Sequence, residues 1–160
     1  MAVEKIIADW KKKSFKPVYW FEGEEEYFID KAINYAEHHI LTEDEASFNL
    51  TIFYGKDANW ADVINACRRY RMFSERQVVL LKEAQQMRDM EKLESYLENP
   101  LSSTVFVVSY KEKKLDARKK FTKLVKENGV LLSTKKMYDR ELPEWTQLLV
   151  QSRGLTITPK

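Results

Sequence analysis

Five short runs rich in β-branched and aromatic residues divide the chain: 17–22, 49–54, 77–82, 104–110 and 129–133. They recur at intervals of about 25–30 residues, close to one β-α unit each. Several are nearly continuous in apolar residues, such as VYWF at 18–21 and VVLL at 78–81. A strand reads that way when both of its faces are covered. Strand alternating with helix five times predicts an α/β fold: a five-stranded parallel sheet flanked by helices on both faces.

The segments between the runs carry helical periodicity. Phe28, Ala32, Ala36 and Ile40 line one face of the first segment, and Trp60, Val63, Ile64, Cys67 and Tyr70 form a stripe in the second. Asn59 is placed to cap that second helix. Met90, Leu93 and Leu97 mark a third helix ending before Asn99-Pro100. Phe121, Leu124 and Val125 mark a fourth, stopped by Asn128-Gly129. Leu142, Trp145, Leu148 and Leu149 mark a fifth, with Pro143 near its start and Gly154 past its end. A leading helix from Val3 to about Trp10 precedes the first strand.

With 160 residues, 44% hydrophobic and 32% charged, the chain reads as one globular domain rather than a disordered one. A net charge of +2 does not by itself imply nucleic-acid binding. The lone Cys67 forms no internal disulfide, and no Cys/His spacing resembles a zinc site, so no metal is expected. No apolar run approaches the roughly 20 residues that span a bilayer, and the N-terminus lacks the apolar core of a signal peptide. A cytoplasmic protein without membrane contact is the expectation. The last residues, Gly154-Leu-Thr-Ile-Thr-Pro-Lys160, read as an extended connection with a new helix start at Thr158-Pro159. The expected division is a domain over 1–154 and the start of a linker or lid at 155–160, within a longer natural protein.

The turn after the first strand has the order of a phosphate-binding loop: strand, Gly23, helix. A Walker loop needs G-x-x-x-x-G-K-[ST], so that backbone N–H groups converge on phosphates, a lysine neutralises charge and a hydroxyl binds magnesium. Here Gly23 is followed by Glu24, Glu25, Glu26 and the bulky Tyr27 and Phe28. Carboxylates complement a helix N-terminus and repel a triphosphate. The expectation is a degenerate nucleotide loop at Gly23, Glu24, Glu25 and Glu26 with no catalytic residue and no cofactor.

Two further stretches bear on function. The basic run at 111–120 follows the fourth strand, on the side where open α/β sheets bind ligands. Contact with phosphate backbone is one reading. A solvated loop and helix start, with Asp116 capping a helix from near Ala117, is the reading the residues alone favour. The stretch Arg68-Arg-Tyr-Arg-Met-Phe-Ser-Glu-Arg76 places Met72 and Phe73 past the helical stripe, in a short link among arginines. They are either core plugs or an exposed contact of the kind that anchors interfaces; the residues alone lean toward core plugs. His38 and His39 point about 100° apart on a helix, which favours a surface reading over a metal site. Cys67 on an apolar face reads as a buried thiol. Glu43 with Asp44 reads as loop solvation.

Taken together, the chain resembles the N-terminal domain of the delta subunit of the bacterial DNA polymerase III clamp loader. The landmarks are Pro17-Val-Tyr-Trp-Phe-Glu-Gly-Glu-Glu-Glu-Tyr-Phe28, Met72-Phe-Ser-Glu-Arg-Gln-Val-Val-Leu-Leu81, Lys113-Lys-Leu-Asp-Ala-Arg-Lys-Lys120 and Leu142-Pro-Glu-Trp145 followed by Gly154-Leu-Thr-Ile157. The resemblance implies an AAA+/P-loop-like core without a functional Walker motif and without ATPase activity. It implies a non-catalytic part of the polymerase holoenzyme, a nucleotidyltransferase assembly acting in DNA replication. The implied partners are the sliding clamp (beta subunit), other clamp-loader subunits through regions beyond residue 160, and primer-template DNA. By position Tyr70, Met72 and Phe73 would be the apolar wedge that binds and opens the clamp, with Arg71 where a small polar residue is common in the family. Lys113, Lys114, Arg118 and Lys119 are the corresponding candidates for DNA-phosphate contact. Two alternatives remain beside this: an NTP-binding switch or ATPase with an unusual loop, and a stand-alone DNA-binding module using 111–120.

Overall fold

All six residues of the first strand, β1 (Val18–Gly23), are buried. That placement follows from the run VYWF, which has no polar position to give to solvent. A computed structural model of the protein describes residues 2–134. Around β1 it assembles β2 (Leu50–Tyr54), β3 (Gln77–Lys82), β4 (Thr104–Lys111) and β5 (Val130–Thr134). The five form one sheet in the order β2-β3-β4-β1-β5, and every neighbouring pair is parallel.

Helices cover both faces. Helices α1 (Ala2–Lys11) and α2 (Glu26–His39) pack Trp10, Ile29, Ala32 and Ile33 against Tyr19, Phe21, Leu80 and Val107. On the other face α4 (Trp60–Arg68), α5 (Glu94–Leu97) and α6 (Lys120–Asn128) pack Val63, Cys67, Leu97 and Val125 against Trp20, Val79, Leu81 and Phe106. Alternate residues of one strand thus feed two separate cores, as strand geometry requires. Each fully buried Val or Leu contributes about 1.5–3 kcal/mol. The expected fold class is the one observed, with strand ends displaced by no more than one residue.

Four local expectations need correction. The segment 84–97 is not one helix but two 3-10 turns, Ala84–Gln86 and Met90–Leu93, leading into the single turn of α5. Its Met90, Leu93 and Leu97 still face the core, so the apolar period gave the buried face and not the helix type. Glu43 and Asp44 do not sit in a loop. They open a short helix, α3 (Glu43–Asn49), whose start is fixed by a reciprocal pair: Thr42 Oγ1 accepts from Glu45 N–H and the Glu45 carboxylate accepts from Thr42 N–H. Asp116 does not cap a helix from Ala117, because α6 begins at Lys120 with Lys119 in the cap position. Finally α4 stops at Arg68, so Tyr70 lies outside its stripe. Gln77, buried at the start of β3, ends that helix: its side-chain nitrogen lies 3.0, 3.2 and 2.8 Å from the carbonyls of Ala66, Cys67 and Arg69. The helix expected around Leu142–Leu149 and the division at 154–155 lie outside the described residues.

Candidate functional site

Because the strands are parallel, the ends of the sheet are chemically distinct. At the carboxyl end, Gly23 closes β1 with φ of +120°, and a Cβ there would lie 2.0 Å from the Thr134 carbonyl oxygen. Only glycine fits. The turn that follows is filled by the protein itself. Glu25 is the N-cap of α2, and its carboxylate accepts the Tyr27 N–H at 3.2 Å. The Thr134 hydroxyl lies 3.1 Å from the carbonyls of both Glu22 and Glu25. Gly23 presents a carbonyl, not an N–H, to the adjoining loop, where it accepts from Glu112 N–H at 2.8 Å. Glu24 is exposed. A phosphate loop offers converging N–H donors; this turn offers carbonyls and carboxylates.

The buried Glu22 ties three segments together. One carboxylate oxygen accepts Leu115 N–H at 2.8 Å and the other accepts the Ser133 hydroxyl at 2.7 Å. These bonds hold the basic loop after β4 against β1 and β5. Lys111, the last residue of β4, is committed to structure, its ammonium lying 2.7 Å from Asp30, 2.9 Å from Glu83 and 3.7 Å from Glu26. Burial works against the charge on Lys111, but its bonds to Asp30 and Glu83 outweigh it and raise the pKa. Arg118 is also engaged, making two 3.2 Å contacts with the Asp116 carboxylate. Lys113, Lys114 and Lys119 are exposed, and no carboxylate among the described residues lies within ion-pair distance of them.

At the amino end of the sheet lies the link 69–76, between α4 and β3. The tendency to place Met72 and Phe73 in the core is overturned. Relative exposures are 86% for Phe73, 78% for Tyr70 and 48% for Met72. Phe73 sits at φ of +56°, a left-handed conformation unusual for an aromatic residue. The physical reason for the exposure is that the link is bolted at its ends and, in its middle, through the Met72 backbone, which leaves the side chains of Tyr70, Met72 and Phe73 facing outward. Gln77 and Thr104 fix its entry through the last carbonyls of α4. Arg69 donates to Thr51 Oγ1 at 3.0 Å, and Arg76 lies over the Phe15 ring, 4.5 Å from its centroid. In the middle, buried Asn49 accepts Met72 N–H through Oδ1 at 2.7 Å and donates through Nδ2 to the Met72 carbonyl. The Ser74 hydroxyl donates to Glu45 Oε2 at 2.7 Å.

Sequence reasoning missed α3 and with it Phe48 and Asn49. Phe48 is 55% exposed, and its ring meets that of Phe73 edge to face at 5.9 Å between centroids. The Thr42-x-x-Glu45 spacing is a capping-box signature that locates this helix. The Gly23 turn and the basic loop lie side by side at the carboxyl end of the sheet, and the apolar link lies at the amino end of β3. β3 itself, six residues long, spans about 20 Å between the two ends of the sheet.

Elsewhere the picture is structural. Cys67 is buried, and burial pushes its thiol pKa well up. His38 and His39 are exposed. Among the described residues, no group of three or more His, Cys, Asp and Glu is placed to hold a metal ion, and no helix is long and apolar enough to cross a membrane.

Comparison with known proteins bears on the family and the fold. The family model described as "DNA polymerase III, delta subunit" matches residues 19–135. The DNA polymerase III subunit delta of Bacillus subtilis is 27% identical over 157 residues, covering 92% of this chain and 45% of that protein. The solved structure of the Bacillus subtilis DNA clamp loader delta protein superposes with a TM-score of 0.78 at 26% identity, covering 98% of this chain and 49% of that one. A DNA polymerase III gamma subunit-related protein of Thermotoga maritima (TM-score 0.60, 13% identity, 94% and 49% coverage) and a RuvB variant of the same organism (0.53, 15%, 99% and 53%) share the fold alone. The sheet is thus of the AAA+/P-loop-like type, and the chain spans about half the length of the relatives it matches. On the family match over 19–135, this chain belongs to the DNA polymerase III delta subunit family.

Proposed function

We propose that this chain is the clamp-binding AAA+-like domain (1–154, with 155–160 starting a lid) of a non-catalytic clamp-loader subunit, which docks on the sliding clamp and opens it for loading onto primed DNA. The observation that carries the reading is the exposed Phe73, presented with Met72 and Tyr70 on a link anchored through its backbone by buried Asn49 and Gln77. Exposing such residues is unfavourable unless a partner covers them. Each contributes about 1.5–3 kcal/mol when fully buried. If the clamp's pocket accepts them better in its opened form, that differential binding moves the ring toward opening. No bond is made or broken, consistent with a Gly23–Glu26 turn occupied by its own carboxylates and carbonyls.

The remaining partners belong to the same proposal. Other clamp-loader subunits assemble through regions outside this chain. Primer-template DNA passes the carboxyl end of the sheet, where exposed Lys113, Lys114 and Lys119 supply phosphate contacts and Arg118 contributes if it releases Asp116. The working compartment is the bacterial cytoplasm. Capture of purified sliding clamp by the chain, beside Phe73→Ala and Met72→Ala, tests the reading. The variants should fold and lose most of the capture; capture equal to wild type would contradict it, and magnesium-dependent ATP hydrolysis would favour a nucleotide switch instead.

A further inference from the structure

The docking link does not stand alone. At roughly 200 Å² per large side chain, the exposed parts of Tyr70, Met72 and Phe73 offer on the order of 400 Å². A standard interface uses about 800 Å² per partner. Neighbouring surface has to supply the remainder, and it has to hold a fixed position relative to Phe73.

Helix α3 meets both requirements. Its Phe48 is a large exposed aromatic that touches the Phe73 ring edge to face. The two residues lie 25 positions apart in sequence, yet their backbones are joined. Asn49, next to Phe48, grips Met72, next to Phe73, by both N–H and C=O. Glu45, one turn earlier, accepts from Ser74, on the other side of Phe73. Asn49 also donates to the Glu45 carbonyl, locking the grip to its own helix. Two struts thus flank a single aromatic pair, and the pair is assembled before any partner arrives. A preassembled pair loses less freedom on docking than two separate flexible side chains.

We propose that Phe48 is a second docking anchor, so that the partner surface receives Phe48 and Phe73 together in one apolar depression wide enough for two rings. The margin of that depression carries negative charge, facing Arg71, which lies over the Tyr70 ring and has no carboxylate partner among the described residues. This inference rests on the docking role proposed above for Met72 and Phe73.

The test is surface plasmon resonance with purified sliding clamp and the full chain as wild type, Phe48→Ala, Phe48→Leu, Phe73→Ala and the Phe48→Ala/Phe73→Ala double variant. Circular dichroism melts accompany each to establish folding. Phe48→Ala should weaken binding about tenfold, with Phe48→Leu between it and wild type. The double variant should lose less than the product of the single losses, because the two rings touch. Wild-type affinity in Phe48→Ala with a loss in Phe73→Ala overturns this inference and leaves the docking role standing. Wild-type affinity in both single variants overturns the docking role and the inference with it. Fully multiplicative losses would contradict a shared depression.

Discussion

Asn49 holds Met72 by both edges of its peptide backbone, taking its N–H at 2.7 Å and giving an amide hydrogen to its carbonyl. The side chain doing this is buried, while the two residues it presents, Met72 and Phe73, are exposed. A buried amide thus works as a mount: its own polar atoms are satisfied, and the geometry it fixes faces outward.

Removing the mount should loosen the link before it unfolds the domain. In Asn49→Ala the Met72 N–H and carbonyl lose their partner, a cost of about 1–3 kcal/mol where no water replaces it. Hydrogen exchange should quicken at the Met72 and Phe73 amides and stay slow at Val79 and Leu80. Equal protection of 72–73 in both proteins would contradict the mount.

Glu45 makes the same region sensitive to acid. Its carboxyl is held below the ordinary carboxylate range, first by the Thr42 N–H and then by the Ser74 hydroxyl. A depressed folded-state pKa means that the stabilisation is present above the unfolded value, about 4.3, and is lost as pH falls through the folded value. Wild type should therefore melt higher than Glu45→Gln at pH 7, and the two should converge in acid. A gap that persists unchanged at pH 3 would rule out the carboxylate as its source.

The sheet was legible because its three central strands, β3, β4 and β1, are covered on both faces. No polar alternation interrupts VYWF or VVLL, so each strand announced itself within one residue. The site was less legible for a matching reason. Phe73 and Met72 are chemically indistinguishable from core residues, and what puts them outside is Asn49, a residue 23 positions earlier. Periodicity within one segment carries no information about a side chain reaching in from another. The family resemblance pointed to Tyr70, Met72 and Phe73, while Thr42-x-x-Glu45 was present in the sequence and marked the helix whose Asn49 holds Met72.

The turn at Gly23 should tolerate no side chain. Gly23→Ala combines a left-handed φ with a contact of 2.0 Å to the Thr134 carbonyl oxygen. A loss of about 2 kcal/mol or more in chemical denaturation is expected. ATP with magnesium should give no heat of binding in calorimetry with the wild type, since Glu25 and Thr134 already take up the turn. Micromolar binding abolished by substitution in 23–26 would reverse the assignment of that turn.

Cys67 should be inert in the native state. Burial keeps its thiol protonated far above neutrality, and the thiolate is the reactive form. Alkylation at pH 8 should be negligible in the folded protein and fast in denaturant; rapid native labelling would place the thiol outside the core.

Phe73 is the residue on which the proposed docking to a sliding clamp turns. The most direct measurement is the equilibrium affinity of the full chain for purified sliding clamp, wild type against Phe73→Ala, with both shown folded by their melts. The variant should lose more than about tenfold in affinity without a change in melting temperature. Equal affinities, or no detectable binding by the wild type, would contradict it.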